Sequence, residues 1–262
     1  MYKNKFSRWP VFGIIAGCYI SLLIVSCGEK ESTDPAQRII DHAIKAHGSK
    51  IFDHSSVEFK FRDRYYKSTR TEGHYRYERF WDSTGIIIHD ELTNTGLIRH
   101  VGQIKVILDT KKIDAYTNSV NSVFYFFALP FNLNDPAVIK ELLGEVTLRD
   151  QPYDKIKITF KQDPNDKMIH EDVYVFWINK SNYYIDYIGY YYVEPGETGT
   201  RFRQAINRRK INGLTVQDYI NFKPINDSIP ISVPDLDEAW VGNQLNELSR
   251  IINESVKVRL VK

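Results

Sequence analysis

Alternation of apolar and polar residues recurs along this chain on both sides of one aromatic block. Val57, Phe59 and Phe61 alternate with Glu58, Lys60 and Arg62; Ile156, Ile158 and Phe160 alternate with Lys155, Lys157, Thr159 and Lys161. A period of two puts neighbouring side chains on opposite faces of a strand, so each run reads as a half-buried strand. Residues 74–81, 86–93, 97–101 and 104–108 extend the first group, with turns at Asp82-Ser83-Thr84-Gly85 and Asn94-Thr95-Gly96. Residues 183–193, 201–211 and 214–222 extend the second, with turns at Asp163-Pro164-Asn165-Asp166, Asn179-Lys180-Ser181-Asn182 and Asn212-Gly213. Residues 173–178 are apolar throughout, as in a strand covered on both faces. Strands do not alternate with full helices, which argues against a parallel doubly wound sheet. No long self-similar repeat occurs, which argues against solenoids and propellers.

Two segments break this period. Ala36, Ile40, Ala43, Ile44 and His47 recur at helical spacing, Asp34 and Pro35 suit a helix start, and Gly48 suits its end. They predict an amphipathic helix over 35–47, with His47 packing or compensating the helix dipole at its end. Between 110 and 143, Ile113, Tyr116, Val120, Val123, Phe124 and Phe127 recur at three and four. Pro130 and Pro136 interrupt that pattern, and Asn134-Asp135-Pro136 is placed to cap a short helix through Leu143 to Gly144. In the tail, 236–248 reads as a short helix interrupted by Gly242, and 256–261 as a last strand.

The N-terminus has a different logic. An apolar run over 11–25, broken by Gly13, Gly17 and Ser21, follows Lys3, Lys5 and Arg8, and no acidic residue precedes Glu29. This is the pattern of a secretory signal peptide, and the run is short of the ~20 apolar residues of a spanning helix. Its end, Ile24-Val25-Ser26-Cys27-Gly28, resembles a bacterial lipobox. The resemblance implies a leader over 1–26, a diacylglycerol on Cys27, an acylated tether over 27–34, and a membrane partner reached through the acyl chains. Gly28, where an enteric-type retention signal has Asp, points to the outer membrane. Glu29-Lys30-Glu31 resembles the export tract of surface lipoproteins, so periplasmic face and cell surface both stay open.

The chain has 35 Lys and Arg against 33 Asp and Glu. Three of the basic residues leave with the leader, so the remainder is nearly balanced and nucleic acid is not an expected partner. Its two cysteines are Cys18, in the leader, and Cys27. An internal disulfide, a cysteine zinc site and a thiol nucleophile are therefore excluded from the mature fold. Stability must come from the core, and 17 Tyr, 14 Phe and 4 Trp supply its area, each fully buried large side chain contributing ~1.5–3 kcal/mol.

The order helix, strands, helical insert, strands resembles the half-barrel of the lipoprotein carriers LolA and LolB, where a curved sheet holds a greasy cavity under a helical lid. Ala43-Ile44-Lys45-Ala46-His47-Gly48 and Tyr125-Phe126-Phe127-Ala128-Leu129-Pro130-Phe131-Asn132-Leu133-Asn134-Asp135-Pro136 resemble blocks of a family of uncharacterised lipoproteins from Bacteroidetes-type bacteria. Together these imply a mainly β (α+β) fold in one domain over 35–262. It would be a curved antiparallel half-barrel sheet with an N-terminal helix and a central helical insert, about 110–143, on the concave face.

The aromatic block at 123–131 reads either as the lining of a ligand cavity or as ordinary core. The cavity candidates are Phe59, Phe61, Phe124, Phe126, Phe127, Leu129, Phe131 and Trp177. The leading expectation is an exported, lipid-anchored monomer that holds a lipid or a lipoprotein acyl chain, without a cofactor. One rival is a surface module for glycan or protein, using Tyr183-Tyr184 and Tyr190-Tyr191-Tyr192 as an aromatic platform. The other is a hydrolase-type enzyme. No G-x-S-x-G, P-loop or dinucleotide fingerprint occurs, and Asp90-Glu91 and Asp237-Glu238 are adjacent, hence on opposite faces if on strands. His42 and His47 are not at metal-ligand spacing, His74, His89 and His100 lie in three separate strands, and His170-Glu171-Asp172 reads as a solvated turn. No catalytic or metal-binding residue is assigned.

Overall fold

The computed structural model describes residues 32–161, 172–194, 197–226 and 230–261. The leader, Cys27, Glu29-Lys30-Glu31, the turn at 163–166 and His170-Glu171 lie outside the described residues. Ser32–Lys262 is one compact unit with its own cores, so this segment carries what it needs to fold.

Helix α1 (Pro35–His47) forms where its caps demand. The Asp34 carboxylate accepts from the Ala36 N–H at 2.9 Å. Gly48 ends the helix at φ 66°, and its N–H reaches the Ile44 and Lys45 carbonyls. A Cβ there would lie 2.1 Å from the Gly213 carbonyl oxygen, so both backbone angle and space require glycine. His47 does not compensate the dipole with a charge. It is buried and neutral, its pKa lowered to about 3 by burial, Arg208 and Lys210. Its Nε2 accepts from the Ile185 N–H at 3.1 Å instead, tying the helix to the sheet.

Six strands follow: β1 (Ser55–Phe61), β2 (Arg64–Thr71), β3 (His74–Ser83), β4 (Ile86–Thr93), β5 (Gly96–Val101) and β6 (Ile104–Val106). After helix α2 (Thr110–Ala128) come β7 (Val138–Leu148), β8 (Gln151–Phe160), β9 (Tyr174–Asn179), β10 (Ile185–Glu194), β11 (Glu197–Ile211) and β12 (Leu214–Pro224). Helix α3 (Leu236–Val241), β13 (Leu245–Ile251) and β14 (Asn253–Leu260) complete the described chain. The first sheet has the order β14-β1-β2-β3-β4-β5-β6 and the second β13-β12-β11-β10-β9-β8-β7, antiparallel throughout. Only Ile252 separates β13 from β14, so one stretch of chain edges both sheets. The fold is the mainly β, curved antiparallel architecture expected, with the sheet divided in two at Ile252.

Three local expectations give way. The helix expected over 236–248 stops at Val241, and residues 245–251 form β13, paired with β12. No short helix runs through Leu143; residues 138–148 form β7, paired along β8 from Val138↔Phe160 to Leu148↔Gln151. Gly144, at φ 125°, sits at a register shift in that pairing, so it bends a strand where a helix stop was expected. A helix of two turns is marginal without a packed face, and the β8 edge offers a full ladder. Strand β2 was not anticipated, because Tyr66 is its one strongly apolar inward position. Buried Ser68 and half-buried Arg70 follow it on the same face.

Three clusters make the core. On the inner face of the second sheet, Ala36, Ile40, Ala43 and Ile44 of α1 cover Ile156, Ile158, Phe176, Ile178 and Ile188. On the first sheet, Val120, Phe124 and Ala128 of α2 cover Val57, Phe59, Tyr66, Tyr77 and Leu92. On the outer face of the second sheet, Leu236, Ala239 and Trp240 of α3 cover Val175, Trp177, Tyr187 and Phe202. The second sheet is thus covered on both sides, as the all-apolar run at 173–178 implied. Lys155 Nζ donates to both Asp237 oxygens, at 2.9 and 3.2 Å, and Trp177 Nε1 donates to Asp237 at 3.0 Å, which fixes α3 in place.

Candidate functional site

Helix α2 lies where the two sheets approach each other, and its faces meet different surroundings. Successive helical residues turn by about 100°, so Phe124 and Phe126 point to opposite sides. Phe124 packs on the first sheet, 4.3 Å from Tyr77 and 5.8 Å from Phe59 between ring centroids. Phe126 faces the second sheet, 5.3 Å from Tyr190 and 6.1 Å from Tyr174. Phe127 turns back to stack on Phe59 at 4.2 Å.

Below Phe126 a cavity of about 460 Å³ remains between α2 and the second sheet. Ser122, Val123, Phe126 and Phe127 line it from the helix, and Phe61 and Arg62 from the end of β1. Tyr190, Tyr192, Arg201, Arg203, Tyr219, Asn221, Ser249 and Ile251 line it from the second sheet, with Asp172 and Tyr174 at one side and Tyr191 and Asn253 also contributing. Phe202 points into the outer core, so Arg201 and Arg203, its neighbours on β11, must point inward.

Arg203 is 9% exposed. Its Nη2 donates to Tyr190 Oη at 2.7 Å and its guanidinium lies 3.8 Å from the Phe126 ring centroid. Its Nε has no partner, and among the described residues none forms an ion pair with it. Across the ladder from Arg203 is Asn221, whose Oδ1 is also buried without a donor. Arg201 Nη2 donates to Tyr192 Oη at 2.6 Å. Arg62, Arg201 and Asp172 also line the cavity. Burial, with Asp172 and Tyr190 beside it, pushes the Tyr174 phenol up, so it stays a neutral donor. The site therefore combines aromatic walls with an under-matched buried cation.

Of the eight cavity candidates, Phe61, Phe126 and Phe127 come together at this cavity. Phe59 and Phe124 are buried in the first-sheet core, with half-buried Phe131 packed against it, and Leu129 is buried beneath α1. Trp177 lies on the opposite face of the second sheet, under α3, because alternation along β9 sends Phe176 and Ile178 inward instead. Tyr190 and Tyr192 turn into the cavity, whereas Tyr191 packs toward the outer core. Sequence reasoning passed over Arg203, since an arginine in an alternating strand reads as solvent-facing. The available signal was Phe202 between two arginines, in a strand whose outer face is covered.

The histidines are dispersed. His89 and His100 are cross-strand partners with rings 6.3 Å apart, and His89 Nε2 lies 3.2 Å from Glu78. His74 pairs with Thr71 at the far end of β3. Among the described residues no group of three or more His, Cys, Asp or Glu is placed to hold a metal ion, and no helix is long and apolar enough to cross a membrane.

No curated protein matches the sequence. Among solved structures, a LolA superfamily protein from Nitrosomonas europaea is similar at 12% identity and TM-score 0.45, over 87% of this chain and 94% of that one. A DUF1329 family protein from Desulfovibrio piger is similar at 13% identity and TM-score 0.48, over 86% of this chain and 93% of that one. Residues 15–240 match a family of unknown function, DUF6503, and the chain belongs to that family.

Proposed function

We propose that this protein is an exported, lipid-anchored binding protein that holds a hydrophobic ligand, a lipid or a lipoprotein acyl chain, in the cavity under α2. The observation that carries the reading is the cavity itself. Its volume of about 460 Å³ falls within the ~300–1,000 Å³ of small-molecule sites, which are concave, largely aromatic or apolar and furnished with a few polar groups. An acyl chain seated there gains ~0.8 kcal/mol per buried methylene. Anchoring rests on Cys27, with the outer membrane as its destination.

Native mass spectrometry of the Ser32–Lys262 segment, purified without detergent, tests the binding reading. A co-purifying acyl lipid, or uptake of a fluorescent fatty acid at micromolar concentration, is the expected result. Protein that is empty and takes up no such probe overturns it. Cys27→Ser in the full chain is expected to abolish processing and membrane retention; unchanged processing and fractionation would remove the anchor from the reading.

A further inference from the structure

We propose that the cavity's ligand carries an anionic head, a carboxylate or phosphate on an acyl chain, and that Arg203 receives it. The inference rests on the cavity reading above and deepens it.

A guanidinium is never neutral in a protein, and a buried charge is ordinarily matched by an opposite one. The same molecule does this elsewhere. Arg79, 2% exposed, places Nε and Nη2 on Asp90 at 3.0 and 2.6 Å, and its Nη1 donates to Ser119. Arg203 is nearly as buried, yet among the described residues it meets only the Tyr190 phenol oxygen and the ring faces of Phe126 and Tyr190, and its Nε is unpartnered. The atom that lacks a partner belongs to a residue lining a cavity large enough for a ligand. Guanidinium geometry matches carboxylate and phosphate through two parallel donors. Asn221 Oδ1, across the ladder from Arg203, is placed to accept from a hydroxyl near such a head. Phe126, Tyr190 and Ile251 leave apolar wall for the chain beyond it.

The test uses one fluorophore in three forms: a pyrene-labelled fatty acid, its methyl ester, and the corresponding lysophosphatidate. The Ser32–Lys262 segment should bind the acid or the lysophosphatidate at least tenfold more tightly than the ester. Which of the two binds better identifies the source of the head. Arg203→Met should abolish the preference, the acid and lysophosphatidate falling to the level of the ester, and Arg203→Lys should retain part of it. Equal wild-type affinity for acid, lysophosphatidate and ester would overturn this inference and leave the cavity reading intact. Binding of none of the three would overturn the cavity reading and this inference with it. The wild-type comparison alone decides the point should Arg203→Met fail to fold.

Discussion

The first and second sheets treat the same helix in opposite ways. Against the first, α2 is closed and matched: Phe124 is fully buried among Phe59, Tyr66 and Tyr77, and Asp90 accepts from both Arg79 and Arg99. Burial alone would raise the Asp90 carboxyl, but hydrogen bonds from Arg99 and Arg79 overcome it and hold the group below the usual carboxylate range. Against the second, α2 is open and under-matched, with Phe126 half-buried over a cavity and Arg203 without a carboxylate partner among the described residues. One side of α2 holds the helix, and the other leaves room.

The largest effect should come from the matched side. Asp90→Leu would strand the buried Arg79 guanidinium and the part-buried Arg99 beside it, and is expected to cost ~3–5 kcal/mol, read as a lower denaturation midpoint. An unchanged midpoint would show that the network does not hold α2. Phe124→Ala should cost ~3–5 kcal/mol, as for a fully buried ring, while Phe126→Ala should cost about half that or less, because its ring is only half-buried. Equal losses in the two variants would erase the distinction between the faces.

Acid sensitivity gives an intermediate effect per pH unit. The folded protein holds His47 neutral down to about pH 3, whereas the unfolded chain protonates it near pH 6.5. The unfolded state binds the extra proton, so stability falls as pH drops below about 6.5, by up to ~1.4 kcal/mol per pH unit, and levels off near pH 3. His47→Leu should flatten that slope in pH-dependent melting. A slope unchanged by the substitution would place the acid sensitivity elsewhere. The smallest stability effect is expected at Arg203→Met, within about 1 kcal/mol of wild type or stabilising, because a buried cation without a carboxylate contributes little to the fold. A loss of several kcal/mol would make Arg203 a structural residue like Arg79.

The sequence carried the framework of this molecule more fully than its site. The Asp34, Pro35 and Gly48 signals bounded α1, and the turns at 82–85, 94–96 and 212–213 marked hairpins. Pattern reading failed where tertiary context decides: at β7, where an edge ladder claimed a segment of mixed periodicity, and at β2, whose inward face beyond Tyr66 is polar. The site was half legible. Phe126 and Phe127 stood out as aromatics, but a period of two cannot say which face of a doubly covered sheet is wet. The burial of Arg203 follows from the covering of both faces, one by α1 and α2 and the other by α3, from segments far from β11 in the chain.

Ser122→Trp tests the central claim most directly. Ser122 is exposed on α2 yet lines the cavity, so a large ring there fills the mouth without disturbing either core. Uptake of the pyrene-labelled fatty acid by the Ser32–Lys262 segment should weaken at least tenfold while the melting temperature stays at the wild-type value. Wild-type affinity in a folded Ser122→Trp protein would mean that the ligand, if any, does not enter under α2.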